Sequence, residues 1–153
     1  MTAIVTLTMN PALDIATATE TVVPGHKLRC REPRYDPGGG GINVARAVHR
    51  LGGDALAMFP VGGLSGEMLR RLLLEEGVPH IPVAVAGVTR ESLAVVEQQS
   101  GKQYRFLLPG PRLTSHEQER CLDALAMHAA GAPYLVASGS LPPGVPANFY
   151  ARV

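Results

Sequence analysis

At 153 residues, with 46% hydrophobic and 18% charged positions, the chain has the size and make-up of one soluble globular domain. A formal net charge of +1 leaves no electrostatic footprint for nucleic acid or for an anionic membrane surface. No run approaches the roughly 18 apolar residues of a spanning helix, and MTAIVTLTMNP lacks a basic leader, so the cytoplasm is the expected location.

The β-branched run from Ile4 to Thr8 predicts a first strand that ends in a turn at Asn10-Pro11. Between Ile15 and Glu32 apolar and polar residues alternate, broken at Pro24-Gly25, which predicts strands with one wet face. The run Asp36-Pro37-Gly38-Gly39-Gly40-Gly41 then leads into a helix from Ile42 to Leu51, with its apolar stripe at Val44, Ala47, Val48 and Leu51 and its stop at Gly52-Gly53. Ala55 to Val61 predicts a buried strand; Ser65 an N-cap, Glu67 to Glu76 a helix, and Gly77 its end. His80 to Ala86 is a strand weakened by Pro82. Ser92 to Gln98 and Gln103 to Leu108 flank Ser100-Gly101 as a hairpin. Thr114 or Ser115, each followed three residues on by Glu117 or Gln118, opens a helix by a capping box, and Gly131 closes it after Ala130. Tyr134 to Ser138 is the last strand. The alternation of strands and helices predicts an α/β sheet, with the half-wet strands near 15–35 and 90–108 forming a small second sheet inserted beside it.

Glycines ahead of a helix let backbone approach a ligand and aim unpaired N–H groups at it. Here the run Gly38 to Gly41 is no P-loop, because Ile42 and Asn43 stand where Lys and Ser are needed. The polar segment before it also argues against a dinucleotide fingerprint and so against a nicotinamide oxidoreductase. Asn43 offers a donor and an acceptor suited to sugar hydroxyls. Asp14 follows a strand and turn, where open α/β sheets bind ligands, and its carboxylate can accept two vicinal hydroxyls. Taken alone, both residues read as cap or surface residues, and Ser138-Gly139-Ser140 as a plain turn. Arg90 and Arg105 carry planar forks that grip phosphate, but each is also an ordinary solvated arginine. The histidines show no ligand spacing, and Cys30 and Cys121 read as buried or idle thiols in a reducing compartment, so no metal site is expected.

Three ordered segments, Thr6 to Asp14 (TLTMNPALD), Gly38 to Ala47 (GGGGINVARA) and Ser138 to Gly144 (SGSLPPG), resemble the signatures of the ribokinase-like (phosphofructokinase B) carbohydrate kinases. The resemblance runs from Ile4 to Val145. Members acting on fructose 1-phosphate or tagatose 6-phosphate usually carry a lysine where Gly40 stands. Together with Lys27 to Cys30 and Gln103 to Phe106, this makes the chain most similar to the bacterial minor-type 6-phosphofructokinases. The resemblance implies a Rossmann-type sheet with helices on both faces, plus a β-sheet lid that also clasps a homodimer. It implies that Asp14, the Gly39-Gly40 backbone and Asn43 hold sugar hydroxyls, that Arg90 holds the 6-phosphate, and that Ser92, Ser140 and Arg105 complete the pocket. It associates Lys27 and Tyr104 with ATP, and it implies Mg2+ as the companion ion.

Family members continue through an N-x-x-E motif for magnesium and phosphate, and a G-A-G-D motif that forms an anion hole and carries the catalytic base. Neither motif occurs in this sequence. The expectation is therefore the sugar-phosphate-binding half of an ATP-dependent 6-phosphofructokinase, which converts fructose 6-phosphate to fructose 1,6-bisphosphate in glycolysis. Alone, this half would lack the positioning and base that phosphoryl transfer needs. The alternatives are the corresponding half of a tagatose-6-phosphate kinase or a 1-phosphofructokinase, and a non-catalytic sugar-phosphate binder. An open sheet edge and exposed apolar surface are expected to leave the isolated chain marginal or self-associating.

Overall fold

A computed structural model describes residues 2–153. In chain order it forms β1 (Ile4–Leu7), β2 (Ala12–Thr19), β3 (Arg34–Gly38), α1 (Gly40–Arg50), β4 (Ala55–Val61) and α2 (Gly63–Glu75). β5 (His80–Ala84), β6 (Arg90–Glu97), β7 (Gln103–Leu107), α3 (Ser115–Ala129) and β8 (Tyr134–Ala137) follow, with a 3-10 turn at Phe149–Arg152.

The main sheet has the order β5-β4-β1-β8 and is parallel throughout. A parallel sheet must be covered on both faces, and alternation along β1 and β4 divides the work. Ala57 and Phe59 turn toward α1 and α2, where Ile42, Ala45, Leu69 and Leu73 complete one core. Val5, Leu7 and Met58 turn the other way and pack with Cys121 and Leu125 of α3 and with Phe149. Phe59 and Phe149 are fully buried, each contributing about 1.5–3 kcal/mol by removal from water. At one border β8 has no strand on its outer side among the described residues, and Tyr134 is 65% exposed there. That is the open edge the sequence anticipates. Pro82 is tolerated because β5 is the opposite border, where a missing N–H costs no ladder bond.

The second sheet has the order β3-β2-β6-β7, with β2 and β6 parallel and both outer pairs antiparallel. Its strands match the predicted insert, with two differences. Residues 20–33 carry no strand, although Lys27 to Arg31 alternate in polarity. That segment follows β2 through a single backbone bond, Arg31 N donating to the Ala18 carbonyl at 2.9 Å, and through side-chain bonds, with Thr17 Oγ1 donating to the Arg31 carbonyl at 2.8 Å and Thr19 Oγ1 to that of Arg29 at 3.1 Å. The third strand begins only at Arg34 and takes in Gly38, the first glycine of the run. A polar strand there is consistent with its place at the border of the sheet.

Ser65 does not cap α2. Gly62 holds the N-cap position, and its N–H donates to Thr89 Oγ1 at 3.1 Å while Ser65 Oγ donates to the Thr89 carbonyl at 2.6 Å. Thr89 thus ties the start of α2 to β6's threshold, and no side chain caps the helix. α3 does open with the expected box: Thr114 Oγ1 accepts from Glu117 N, and the Glu117 carboxylate accepts from Thr114 N.

Candidate functional site

Strand register decides which side chains meet. Asp14 lies opposite Asp36 of β3 on one side and Ser92 of β6 on the other. Because side chains alternate, the same face carries Arg34, Arg90 and, through the Ala94 pairing, Arg105 of β7. α1 faces this surface with Arg46 and Arg50, one helical turn apart. Between sheet and helix lies an open cleft of about 610 Å³, into which Asp14, Asp36, Ser92, Arg46 and Arg105 all project.

Gly38 lies directly beneath Asp14. A Cβ on Gly38 would stand 2.2 Å from Asp14 Oδ2, so only glycine lets the carboxylate rest across the strand end. Gly40 is equally tight, since a Cβ would lie 2.5 Å from Ser138 Oγ and 2.8 Å from Gly139 N. The glycine turn therefore packs against the loop that follows β8, bringing the second and last motifs of the sequence together. Gly39, with φ 124, is the N-cap of α1. Beyond it, Gly41 N donates to the Ser138 carbonyl at 3.2 Å and Ile42 N to Thr8 Oγ1 at 2.8 Å. These two helix-start amides are thus committed within the protein. Asn43 stands exposed on the first turn of α1.

The carboxyl of Asp14 is held above its usual range, first by burial and then by the like charge of Asp36. Arg90, Arg105 and Arg46 pull it back only in part. Arg90 is anchored by carbonyls, Nη2 donating to Asn10 at 3.2 Å and Nη1 reaching Leu108 at 3.5 Å. Its Nε is buried without a protein partner. Arg105 is exposed and Ser92 nearly buried. Ser140, also exposed, accepts from Asn10 Nδ2 at 3.0 Å, so Asn10 touches both Ser140 and Arg90.

Lys27 and Tyr104 stand apart from this group. Lys27 lies on the exposed 20–33 segment, over a shallow depression shared with Thr19, His26 and Arg29. Tyr104 pairs with Val95 and therefore points to the opposite face of the second sheet from Asp14. Among the described residues no three or more His, Cys, Asp or Glu side chains gather as a metal centre.

Sequence reading passed over Asn10, Asp36, Gly38 and Arg46. Asn10 looks like a turn former, and Gly38 like one of four equivalent glycines. The i, i+4 spacing of Arg46 and Arg50 was the available signal for a basic helix face.

A family model described as pfkB family carbohydrate kinase matches residues 5–153. The chain is 60% identical over 150 residues to the ATP-dependent 6-phosphofructokinase isozyme 2 of Mycobacterium tuberculosis, a match covering 98% of this chain and 44% of that protein. It is 49% identical over 145 residues to the Escherichia coli enzyme of the same description, covering 95% of this chain and 47% of that one. The crystal structure of phosphofructokinase-2 from Escherichia coli in complex with fructose-6-phosphate superposes with a TM-score of 0.92 at 47% identity, over 99% of this chain and 50% of that one. The chain thus spans about half the length of the relatives it matches. With the family model matched almost end to end and the two-sheet fold shared, this chain belongs to the pfkB family of carbohydrate kinases.

Proposed function

We propose that the cleft binds a phosphorylated ketose, fructose 6-phosphate, and that the chain is the sugar-binding half of an ATP-dependent 6-phosphofructokinase acting in the cytoplasm. The observation that carries this reading is the convergence of Asp14 with Arg90 and Arg105 on one face of the second sheet, beside the glycine turn.

In this reading Asp14 accepts hydrogen bonds from two vicinal hydroxyls, and Asn43 with the Gly39 and Gly40 amides holds the remaining sugar oxygens. A charge-assisted hydrogen bond from Arg90 to the phosphate is worth about 1.5–3 kcal/mol. Two carbonyls already orient the Arg90 side chain, so little rotamer freedom is lost on binding. Ser92, Ser140 and Arg105 close the pocket. Asp14 must be ionised to accept both hydroxyls; since burial raises its pKa, binding fails on acidification at a higher pH than for an ordinary aspartate. ATP supplies the transferred phosphoryl group in the whole enzyme, with magnesium as its companion. Lys27 and Tyr104 are the proposed nucleotide contacts, and their distance from the cleft is compatible with a nucleotide bound apart from the sugar.

The sibling sugars, tagatose 6-phosphate and fructose 1-phosphate, are disfavoured by Gly40. A lysine there requires the Ser138–Gly139 loop to retreat. A homodimer through the second sheet is also proposed, supported by the outer strand β7, where Phe106 and Leu107 are 54% and 65% exposed.

Calorimetric titration of the chain with each of the three ketose phosphates tests the reading. Fructose 6-phosphate should bind tightest, and Arg90→Ala should weaken it by about tenfold or more. Unchanged affinity in that variant, or no ketose binding at all, refutes the assignment.

A further inference from the structure

Arg46 has no role among the sugar contacts, yet its guanidinium joins three parts of the fold that meet at the cleft. Nε and Nη2 form a fork onto Glu76, just past α2, at 2.8 and 2.5 Å. Nη1 donates to the Pro37 carbonyl at 2.9 Å, and Nη2 also reaches Asp36 Oδ1 at 3.4 Å. Only 11% of the side chain is exposed. Pro37 immediately precedes Gly38, on whose backbone the Asp14 carboxylate rests, and Asp36 is the cross-strand partner of Asp14.

We propose that Arg46 is a positioning residue for the sugar site: it fixes the glycine turn beneath Asp14 and shares with Arg34 the neutralisation of Asp36, keeping Asp14 an ionised acceptor. The link to sugar rests on the function proposed above; the link to Asp14 does not.

The charged groups facing Asp14 are Asp36 and Arg34 from β3, Arg90 from β6, Arg105 from β7, and Arg46 and Arg50 from α1. Glu76 meets the cleft only through Arg46 and Arg50. Removing Arg46 takes away a cation that favours the Asp14 carboxylate and leaves Asp36 paired only with Arg34, whose Nε donates to Asp36 Oδ2 at 2.8 Å. Both changes drive Asp14 toward its neutral form, in which one oxygen becomes a donor and the match to a diol is lost. A lysine in the same place keeps the charge but cannot make the two-pronged bond to Glu76. The electrostatic and clamping parts of the role therefore separate.

The test is a carbon-13 carboxyl NMR titration of Asp14 in the chain and in its Arg46→Gln, Arg46→Lys and Asp36→Asn variants, with fructose 6-phosphate affinity measured across the same pH range. Arg46→Gln should raise the Asp14 midpoint and weaken the sugar phosphate by about tenfold at pH values near that midpoint, with a smaller loss well above it. Arg46→Lys should leave the midpoint close to wild type while lowering the melting temperature. Asp36→Asn should lower the midpoint, and adding Arg46→Gln to it should raise the midpoint less than in the wild-type background. The double variant carries no Asp36 charge at all, so it serves if Arg46→Gln alone fails to fold. An Asp14 midpoint that is the same with and without Arg46, or a lysine variant that titrates like the glutamine one, overturns the proposal. If Asp14 shifts as expected but the wild-type chain binds no fructose 6-phosphate, the positioning role stands and the proposed function fails.

Discussion

Asn10 and Ser140 are 130 positions apart in sequence, and their side chains are joined by a hydrogen bond of 3.0 Å. Asn10 sits in the turn after β1, and Ser140 in the loop after the neighbouring strand β8. The carbonyl of Asn10 also accepts from Arg90. One small residue at the carboxyl end of the sheet thereby links two of the groups assigned to the sugar phosphate.

Asn10→Ala should loosen that corner. The side chain is nearly buried and its amide is committed to Ser140, so loss of the bond should cost about 1 kcal/mol in stability. Ketose-phosphate affinity should fall by several-fold as Ser140 loses its tether. Chemical denaturation and calorimetry read the two effects, and wild-type affinity with reduced stability would confine Asn10 to a structural role.

Gly38→Ala should be worse for binding than its size suggests. The new methyl would overlap the Asp14 carboxylate, so either the carboxylate turns away or the strand shifts, an overpacking cost of about 1–3 kcal/mol. The expected result is a folded protein with binding lost, seen as a melting temperature that no longer rises with fructose 6-phosphate.

Glu117 should tie acid stability to the start of α3. Its carboxylate accepts from the backbone N–H of Ala86 and of Thr114, both at 2.8 Å, and the first of these is the main reason its pKa is lowered. A lowered pKa means the folded state prefers the ionised form. This contribution is complete above the ordinary glutamate range and is lost as pH falls through it. Glu117→Ala should therefore destabilise by about 0.5–2 kcal/mol at neutral pH and flatten the acid limb of the stability profile.

The two thiols should behave oppositely. Burial pushes Cys121 up to about 12 from an ordinary value of 9.0, whereas Cys30 is exposed. The folded chain should show one reactive thiol toward a disulfide reagent at pH 8, and two after denaturation. The same shift means that folding retains the Cys121 proton. Its contribution is full below pH 9.0 and declines as pH rises toward about 12.

Local signals were sufficient for much of the fold. The helix before Gly52, the Thr114–Glu117 box, the Ser100-Gly101 hairpin and the β-branched runs each depend on neighbours within a few residues and form where the sequence places them, but α1 buries Gly41, Ile42 and Ala45 instead of the predicted stripe, and Leu51 is 88% exposed. The ordered motifs likewise pointed to the family. Failures came where distant partners intervened: Thr89 engages Gly62 and Ser65 at the start of α2, so Ser65 does not cap it, and hydroxyls of β2 held residues 29–31 without a ladder. Strand register alone set Asp36 beside Asp14 and turned Tyr104 to the far face. Close packing alone distinguished Gly38 and Gly40 within the run and gave Asn10 and Arg46 their contacts. Sequence periodicity records which side of an element is apolar, but which elements lie together, and at what offset, is decided only when the two sheets pack.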